Sequence, residues 1–273
     1  MHDTLTLDAM PARLPSPLAG AAARALGSRP RHLRRLRVEL ADGAATTLHV
    51  ASHDLRRVRP RVVRMAHPTP LERWCYEHRV SEAIVGGFFV RPGGMPLGEL
   101  RTSGIARSVE PFDAPWGGLR GCLHVAGDDV VLARRHELAH EPPGDLLQAG
   151  PLLVRDGVPC LDDDAEGFSA GQRQFDSDIT AGRYPRAALA LADDGRMLAV
   201  ACDGRADDEA GLTLGELAEA LVALGARAAL NLDGGGSTSL VCAGRLRNVP
   251  REEHGVVLEG GRPVSTAVTF ARR

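Results

Sequence analysis

Residues Asn231-Leu232-Asp233-Gly234-Gly235-Gly236-Ser237-Thr238-Ser239 set an amide, a carboxylate and hydroxyls around three consecutive glycines. Without Cβ atoms, Gly234, Gly235 and Gly236 let backbone N–H groups come close to an oxyanion and take positive φ where other residues are strained. Such a loop can hold a phosphate or sugar oxygens against Asp233. Asp233 is the general base or nucleophile of this reading, Asn231 orients substrate hydroxyls or Asp233 itself, and Ser237 donates a hydrogen bond to phosphate. A plain turn has no use for the flanking Asn and Asp. For Asp233 the structural alternative is capping N–H groups of its own loop. A nucleotide-type phosphate loop needs a lysine before its Ser/Thr, and this chain has no lysine: all 33 of its Lys-plus-Arg residues are arginine. Lysine Schiff-base chemistry is excluded, and Arg remains as the bidentate phosphate ligand. No GxSxG surrounds Ser237 to make it a nucleophile.

Two further groupings carry apparent chemistry. His136-Glu137-Leu138-Ala139-His140 matches the HExxH of zinc peptidases. That chemistry needs both histidines on one face of a stable helix and a third ligand. Here Pro142-Pro143-Gly144 ends any helix at once and strand-like residues precede it, so an exposed polar connection is the favoured reading. Residues 161 to 183 form an acidic, aperiodic stretch with Glu166, Asp176 and Asp178. A divalent cation at Asp176 and Asp178 is conceivable, but two side chains fall short of a calcium site, and a solvated loop is the preferred reading. No cofactor is expected.

The elements that must position these residues follow from pattern. Residues 36 to 40 and 47 to 50 alternate as a hairpin around Asp42-Gly43; residues 120 to 133, 152 to 158 and 186 to 202 repeat the scheme around Gly127-Asp128, Asp156-Gly157 and Asp194-Gly195. Thr69 as N-cap with Pro70 at the first position opens a helix to about His78. Ala83-Ile84-Val85 is a buried strand before Gly86-Gly87-Phe88-Phe89. Thr213 and Glu216 form a capping box, Leu214, Leu217, Ala218, Leu221, Val222 and Leu224 recur at helical spacing, and Gly225 stops the helix. Residues 227 to 232 and 240 to 242 then read as strands flanking the glycine loop. Hairpins mixed with helix-linked strands predict an α+β (mixed α/β) fold with a mixed β-sheet and flanking helices.

Several motifs occur in the order of one family: GGFF at 86 to 89, QAGPLLVRDG at 148 to 157, YPRAAL at 184 to 189, DGR at 203 to 205, the run from Leu212 to Ser237 ending in NLDGGGS, and GRPV at 261 to 264. Over about residues 80 to 273 the chain resembles the phosphodiester glycosidase family. The resemblance implies hydrolysis of a sugar-1-phosphodiester, with the bond from anomeric carbon to phosphate oxygen breaking. It implies Arg186 and Arg205 as phosphate ligands at strand ends, with a structural ion pair as their alternative, and Arg262 as a third. It places Asp203 in the site as a catalytic residue alongside Asp233, Arg186 and Arg205, and lets Gly86 and Gly87 bring the sugar to the backbone beside Phe88 and Phe89, which otherwise are core. Two departures are visible. Val85 stands where the family carries Asn, and lumenal members are secreted and disulfide-bonded, whereas Cys75, Cys122, Cys160, Cys202 and Cys242 here lack any paired spacing.

A length of 273 residues with 44% hydrophobic content can bury a full core. One domain over 31 to 273 is expected, with 1 to 30 a loose lead-in that lacks the features of a secretory signal. A net charge of -2 gives no reason to expect nucleic acid or an anionic membrane as partner. The arginine run over residues 56 to 64 reads as an exposed strand face. No window approaches eighteen apolar residues. The expected partner is a small-molecule or nucleotide-sugar-like glycosyl phosphodiester in the cytoplasm.

Overall fold

The computed structural model describes residues 32–161, 166–168, 180 and 182–273. The lead-in at 1 to 30 and the pair Asp176 and Asp178 lie outside them. Three sheets of seven, five and five strands, with a two-stranded ribbon, make up most of the described chain. Every ladder is antiparallel. The expected mixed sheet with flanking helices is therefore corrected to a sheet-dominated architecture. The reason lies at the centre of the largest sheet. Arg196–Cys202 and Ala226–Asn231 are joined by the helix Leu214–Ala223 and do run in the same direction, but Arg186–Ala192 is inserted between them and pairs antiparallel with both.

That central strand reads Arg-Ala-Ala-Leu-Ala-Leu-Ala and is buried on both faces. Successive side chains point to opposite sides. Ala187, Leu189 and Leu191 enter the core shared with the other two sheets, while Ala188 and Ala190 meet Leu214, Leu217 and Leu221 of the covering helix. Alanine on the helix side lets that helix lie close, and a fully buried leucine such as Leu189 is worth about 2–5 kcal/mol against truncation to alanine. The helix is fixed as its sequence dictates. Thr213 Oγ1 accepts the Glu216 N–H at 3.1 Å, Glu216 Oε2 accepts the Thr213 N–H at 2.9 Å, and Gly225 leaves it at φ +88°.

The helix at Leu71–Glu77 forms, but Pro70 is its cap. Thr69 belongs to the preceding strand Val58–Pro70, and its hydroxyl donates to the His67 carbonyl at 2.9 Å. The Asp-Gly hairpins appear where expected. Glu166, read as part of a solvated loop, is buried; it accepts the N–H groups of Gly121 at 2.7 Å and Leu152 at 2.9 Å, and burial pushes its carboxyl up to about 7. Among the described residues no helix is long and apolar enough to cross a membrane.

Candidate active site

The strand Ala226–Asn231 ends in the first sheet, and Leu240–Cys242 begins in the third, in the order Arg245–Leu246, Leu240–Cys242, Ala83–Val85, Pro263–Arg272, Val58–Pro70. The glycine loop is the passage between them. The Leu232 N–H still donates to Ala187 O at 2.9 Å in the first sheet, and the Asp233 N–H donates to Gly86 O at 3.0 Å, beyond the end of Ala83–Val85. Asp233 is thus pinned where the two sheets meet. Gly235 takes φ +58° and opens a single 3-10 turn to Ser237.

Next to this loop is a cavity of about 600 Å³, lined by Arg91, Arg186, Arg205, Arg262, Asn231, Asp233, Gly234, Gly235 and Gly236 among its polar groups, with Glu252, Glu253, Tyr184, Phe88, Phe89, Val90 and Leu97. Four arginines face three carboxylates. Burial pushes Asp233 up to about 6, against the opposing pull of the Ser237 hydroxyl bonded to it and the Arg262 charge. A carboxyl titrating there is still mostly a base at neutral pH and binds a proton far more readily than an exposed aspartate. Glu252 is held below its ordinary value, chiefly by its hydrogen bonds from Arg262.

Arg186 opens the central strand and is buried; its Nε donates to Leu212 O at 2.9 Å, one Nη to Gly182 O at 2.8 Å, and its guanidinium lies 5.2 Å from the Tyr184 ring centre. The same ring has Arg205 at 5.7 Å, so Tyr184 spaces the two cations. Arg205 sits at φ +60°, a conformation disfavoured for any residue other than glycine, and donates to Arg251 O at 3.1 Å. Asn231 gives its amide N–H to Gly150 O at 2.9 Å, while its Oδ1 is buried with no hydrogen-bond partner. An unsatisfied acceptor on a cavity wall is costly unless a ligand donor reaches it.

Of the remaining predicted residues, Asp203, Ser237, Gly86 and Gly87 do not line the cavity. Asp203 is buried with Oδ2 at 2.7 Å from His49 Nε2 and Oδ1 accepting the Val249 N–H at 2.7 Å, which gives it a structural position behind Arg205. Ser237 supports Asp233 from within the loop and lies 3.4 Å from Arg262. Gly86 and Gly87 pack against the sheet: a Cβ on Gly86 would stand 2.4 Å from Thr266 Oγ1, and one on Gly87 2.8 Å from Gln148 O. Phe88 does both jobs, touching the cavity and packing on Phe168 with ring centres 5.8 Å apart. The loop amides are less open than expected, since those of Gly235, Ser237 and Thr238 donate to the carbonyls of Pro185, Gly234 and Gly235. Val85 is fully buried in its strand, opposite Ala267.

Sequence reasoning missed Tyr184, Arg91, Glu252 and Glu253. Tyr184 and Arg91 were signalled by adjacency, one beside Arg186 and one closing the run after Gly-Gly-Phe-Phe-Val. Nothing in the pattern marks Glu252 or Glu253. The HExxH match resolves into a 3-10 turn at Arg135–Glu137, with His136 Nδ1 3.0 Å from Gly118 O and Glu137 accepting from Arg155 and the Arg134 N–H. Leu138 leaves the turn with extended dihedrals and no helix continues to His140, so the two histidines share no helix face.

A family model described as phosphodiester glycosidase matches residues 78–271. No curated protein sequence matches the chain. Among solved structures it is similar to the catalytic domain of zebrafish N-acetylglucosamine-1-phosphodiester alpha-N-acetylglucosaminidase, auto-inhibited by its pro-peptide, with 19% identity, a TM-score of 0.69, and coverage of 90% of this chain and 85% of that one. A hypothetical protein from Synechocystis gives 20% identity and a TM-score of 0.61 over 88% of this chain; the chain spans 62% of that protein's length. A protein of Burkholderia pseudomallei described as exported gives 18% identity and a TM-score of 0.60, covering 84% of this chain and 74% of that one. At these identities the likeness is one of fold.

Proposed function

The chain belongs to the phosphodiester glycosidase family, and from that membership we propose that it hydrolyses the glycosidic bond of a sugar-1-phosphodiester, giving free sugar and a phosphomonoester. The observation that carries the reading is the Asp233 carboxyl, raised to about 6, on the wall of a cavity that also presents four arginines.

In this reading Arg205 and Arg186 hold the phosphodiester from either side of Tyr184, and Arg262 adds a third, partly neutralised charge. The Asn231 Oδ1 accepts from a sugar hydroxyl. Asp233 takes a proton from water as the water oxygen attacks the anomeric carbon; the bond from that carbon to the phosphate oxygen breaks, and its electron pair leaves with the phosphate. A phosphate leaving group has a second pKa of about 6, so it departs without strong acid help, and cationic ligands suffice to stabilise the developing charge. The substrate is a small glycosyl phosphodiester, of the size of a nucleotide sugar or less. The free thiols of Cys75, Cys122, Cys202 and Cys242 support a reducing compartment such as the cytoplasm.

Phosphorus NMR of the purified chain with a panel of sugar-1-phosphodiesters and nucleotide sugars tests this. A phosphomonoester appearing together with free sugar, and absent with Asp233→Asn, is the expected result. Saturable stabilisation by a panel member with no product in either protein would instead make the chain a binding module for glycosyl phosphates.

A further inference from the structure

At the far end of the strands that carry the glycine loop and the Gly86 carbonyl, three unlike donor atoms converge. Leu240 pairs with Ile84 and Val241 with Ala83, so Cys242 and Glu82 face one another across the next rung. His32, immediately before the strand Leu33–Glu39, reaches the same place, with Nε2 3.0 Å from Glu82 Oε2. The imidazole nitrogen, the carboxylate oxygen and the Cys242 sulfur all lie within 4.8 Å of one another.

The surroundings of each donor point at a cation. His32 Nδ1 is 3.0 Å from the Ser52 carbonyl, which accepts its proton and leaves the Nε2 lone pair directed at Glu82. Glu82 Oε1 accepts the Ala243 N–H at 2.9 Å, while Oε2 is buried with no hydrogen-bond partner. With neutral histidine, two lone pairs then meet with no proton between them. A third lone-pair donor, the buried Cys242 sulfur, stands alongside, and its backbone is held by Arg247 Nε at 2.8 Å from Cys242 O. Without a cation, an imidazolium would pair with Glu82 and the Cys242 thiol would bond the same carboxylate beside Arg247, so the ion must take the place of both protons.

We propose that His32 Nε2, Glu82 Oε2 and Cys242 Sγ form a binding site for a divalent cation of the zinc class. Mixed nitrogen, oxygen and sulfur donors in this number suit zinc, with water completing four-coordination. His32 has a half-exposed side chain, so that water and the ion have an entry path. Coordination displaces the thiol proton to solvent, and thiolate plus carboxylate balance the two charges of the ion with no change of oxidation state. None of the three residues lines the Asp233 cavity. The ion would clamp the start of the first sheet onto the third and act on stability, independently of hydrolysis.

The test is zinc content by elemental analysis of the chelator-stripped and reloaded full chain, with cobalt(II) titration to detect a thiolate-to-cobalt charge-transfer band. About one equivalent is expected for the unaltered protein, with a rise in Tm on loading, and both are expected to vanish in Cys242→Ser and in His32→Ala. His32 is exposed enough for its variant to fold. Absence of stoichiometric uptake, or uptake and cobalt band unchanged in His32→Ala, overturns the proposal and leaves an ordinary ion pair. Hydrolytic activity stays the same in His32→Ala, so loss of the metal and loss of the proposed reaction are separable.

Discussion

Arg262 grips Glu252 through both carboxylate oxygens directly above Gly236, with Nε to Oε1 at 2.8 Å, and at the same time approaches Ser237 Oγ at 3.4 Å. The pair lies so close to the loop that a Cβ on Gly236 would stand 2.9 Å from Arg262 Nη2 and from Glu252 Oε1. Gly236 is therefore required less for its own conformation than for the passage of an ion pair over it.

Gly236→Ala should displace Arg262 and Glu252 while leaving the fold intact, because the clashing atoms are the ends of flexible side chains. A loss of turnover of about 10-fold or more is expected, following from displaced substrate ligands. Unchanged kcat/KM beside an unchanged circular dichroism spectrum would remove Arg262 from the substrate site.

Asp233→Asn should lower kcat by about 10²–10⁴-fold, the usual range for loss of a positioned general base. In the unaltered enzyme kcat/KM should rise with pH and level off above about 6, where the Asp233 carboxyl is ionised. A profile flat through that range, or one that falls, would contradict the role of base.

Arg205→Gln should raise KM by about 10-fold or more with little change in Tm, since its guanidinium lies on the cavity wall and a bidentate anion contact is worth roughly 1.5–3 kcal/mol. Arg186 holds two backbone carbonyls as well, so Arg186→Met should lower both Tm and substrate affinity. Steady-state kinetics at several salt concentrations, with thermal unfolding on the same samples, separates the two.

Asp203→Asn should cost about 1–3 kcal/mol of stability by breaking a buried charged contact with His49. Turnover per folded molecule should remain near that of the parent. If turnover collapses while stability is unaffected, Asp203 belongs to the chemistry after all.

Stability itself should depend on pH in a defined sense. Burial raises Glu166 from 4.5 to about 7, so between those values the native state binds more protons than the unfolded chain, and stability falls as pH rises through that window. The span corresponds to on the order of 3 kcal/mol. Asp233, raised from 3.8 to about 6, contributes in the same direction over its own window. Denaturant titrations at a series of pH values should show this slope, and Glu166→Gln should flatten its upper part.

Much of this architecture was readable in advance for physical reasons. Asp-Gly turns between alternating segments announce hairpins because few residues accept their dihedrals, and Thr213 with Glu216 announces a helix start because those side chains complete its free N–H groups. The glycine loop was readable as a site because its flanking Asn231 and Asp233 exceed what a turn needs. What escaped was set by distant partners. Arg186–Ala192 inserts between two helix-linked strands, and nothing local records that. Asp203 reads as catalytic from its place beside Arg205, and its contact with His49 of the strand Ala45–Asp54 is not recorded locally. Glu252 and Glu253 sit in an irregular segment whose only relevant property is where it passes.

The crossing of the chain from first sheet to third at Asp233 divides the cavity into parts with different freedom to vary. Its floor is held by backbone bonds to both sheets, from Leu232 to Ala187 and from Asp233 to Gly86. Its rim comes from separate connections around Phe89 to Arg91 and around Glu252 to Glu253. On the reaction proposed above, substitutions on the rim would retune which group trails the phosphate without moving the carboxylate, so descendants of this scaffold would diverge in substrate while sharing one reaction centre. Loosening the junction of the sheets would have the opposite outcome: heat or denaturant should silence the enzyme while most of its strands are still paired.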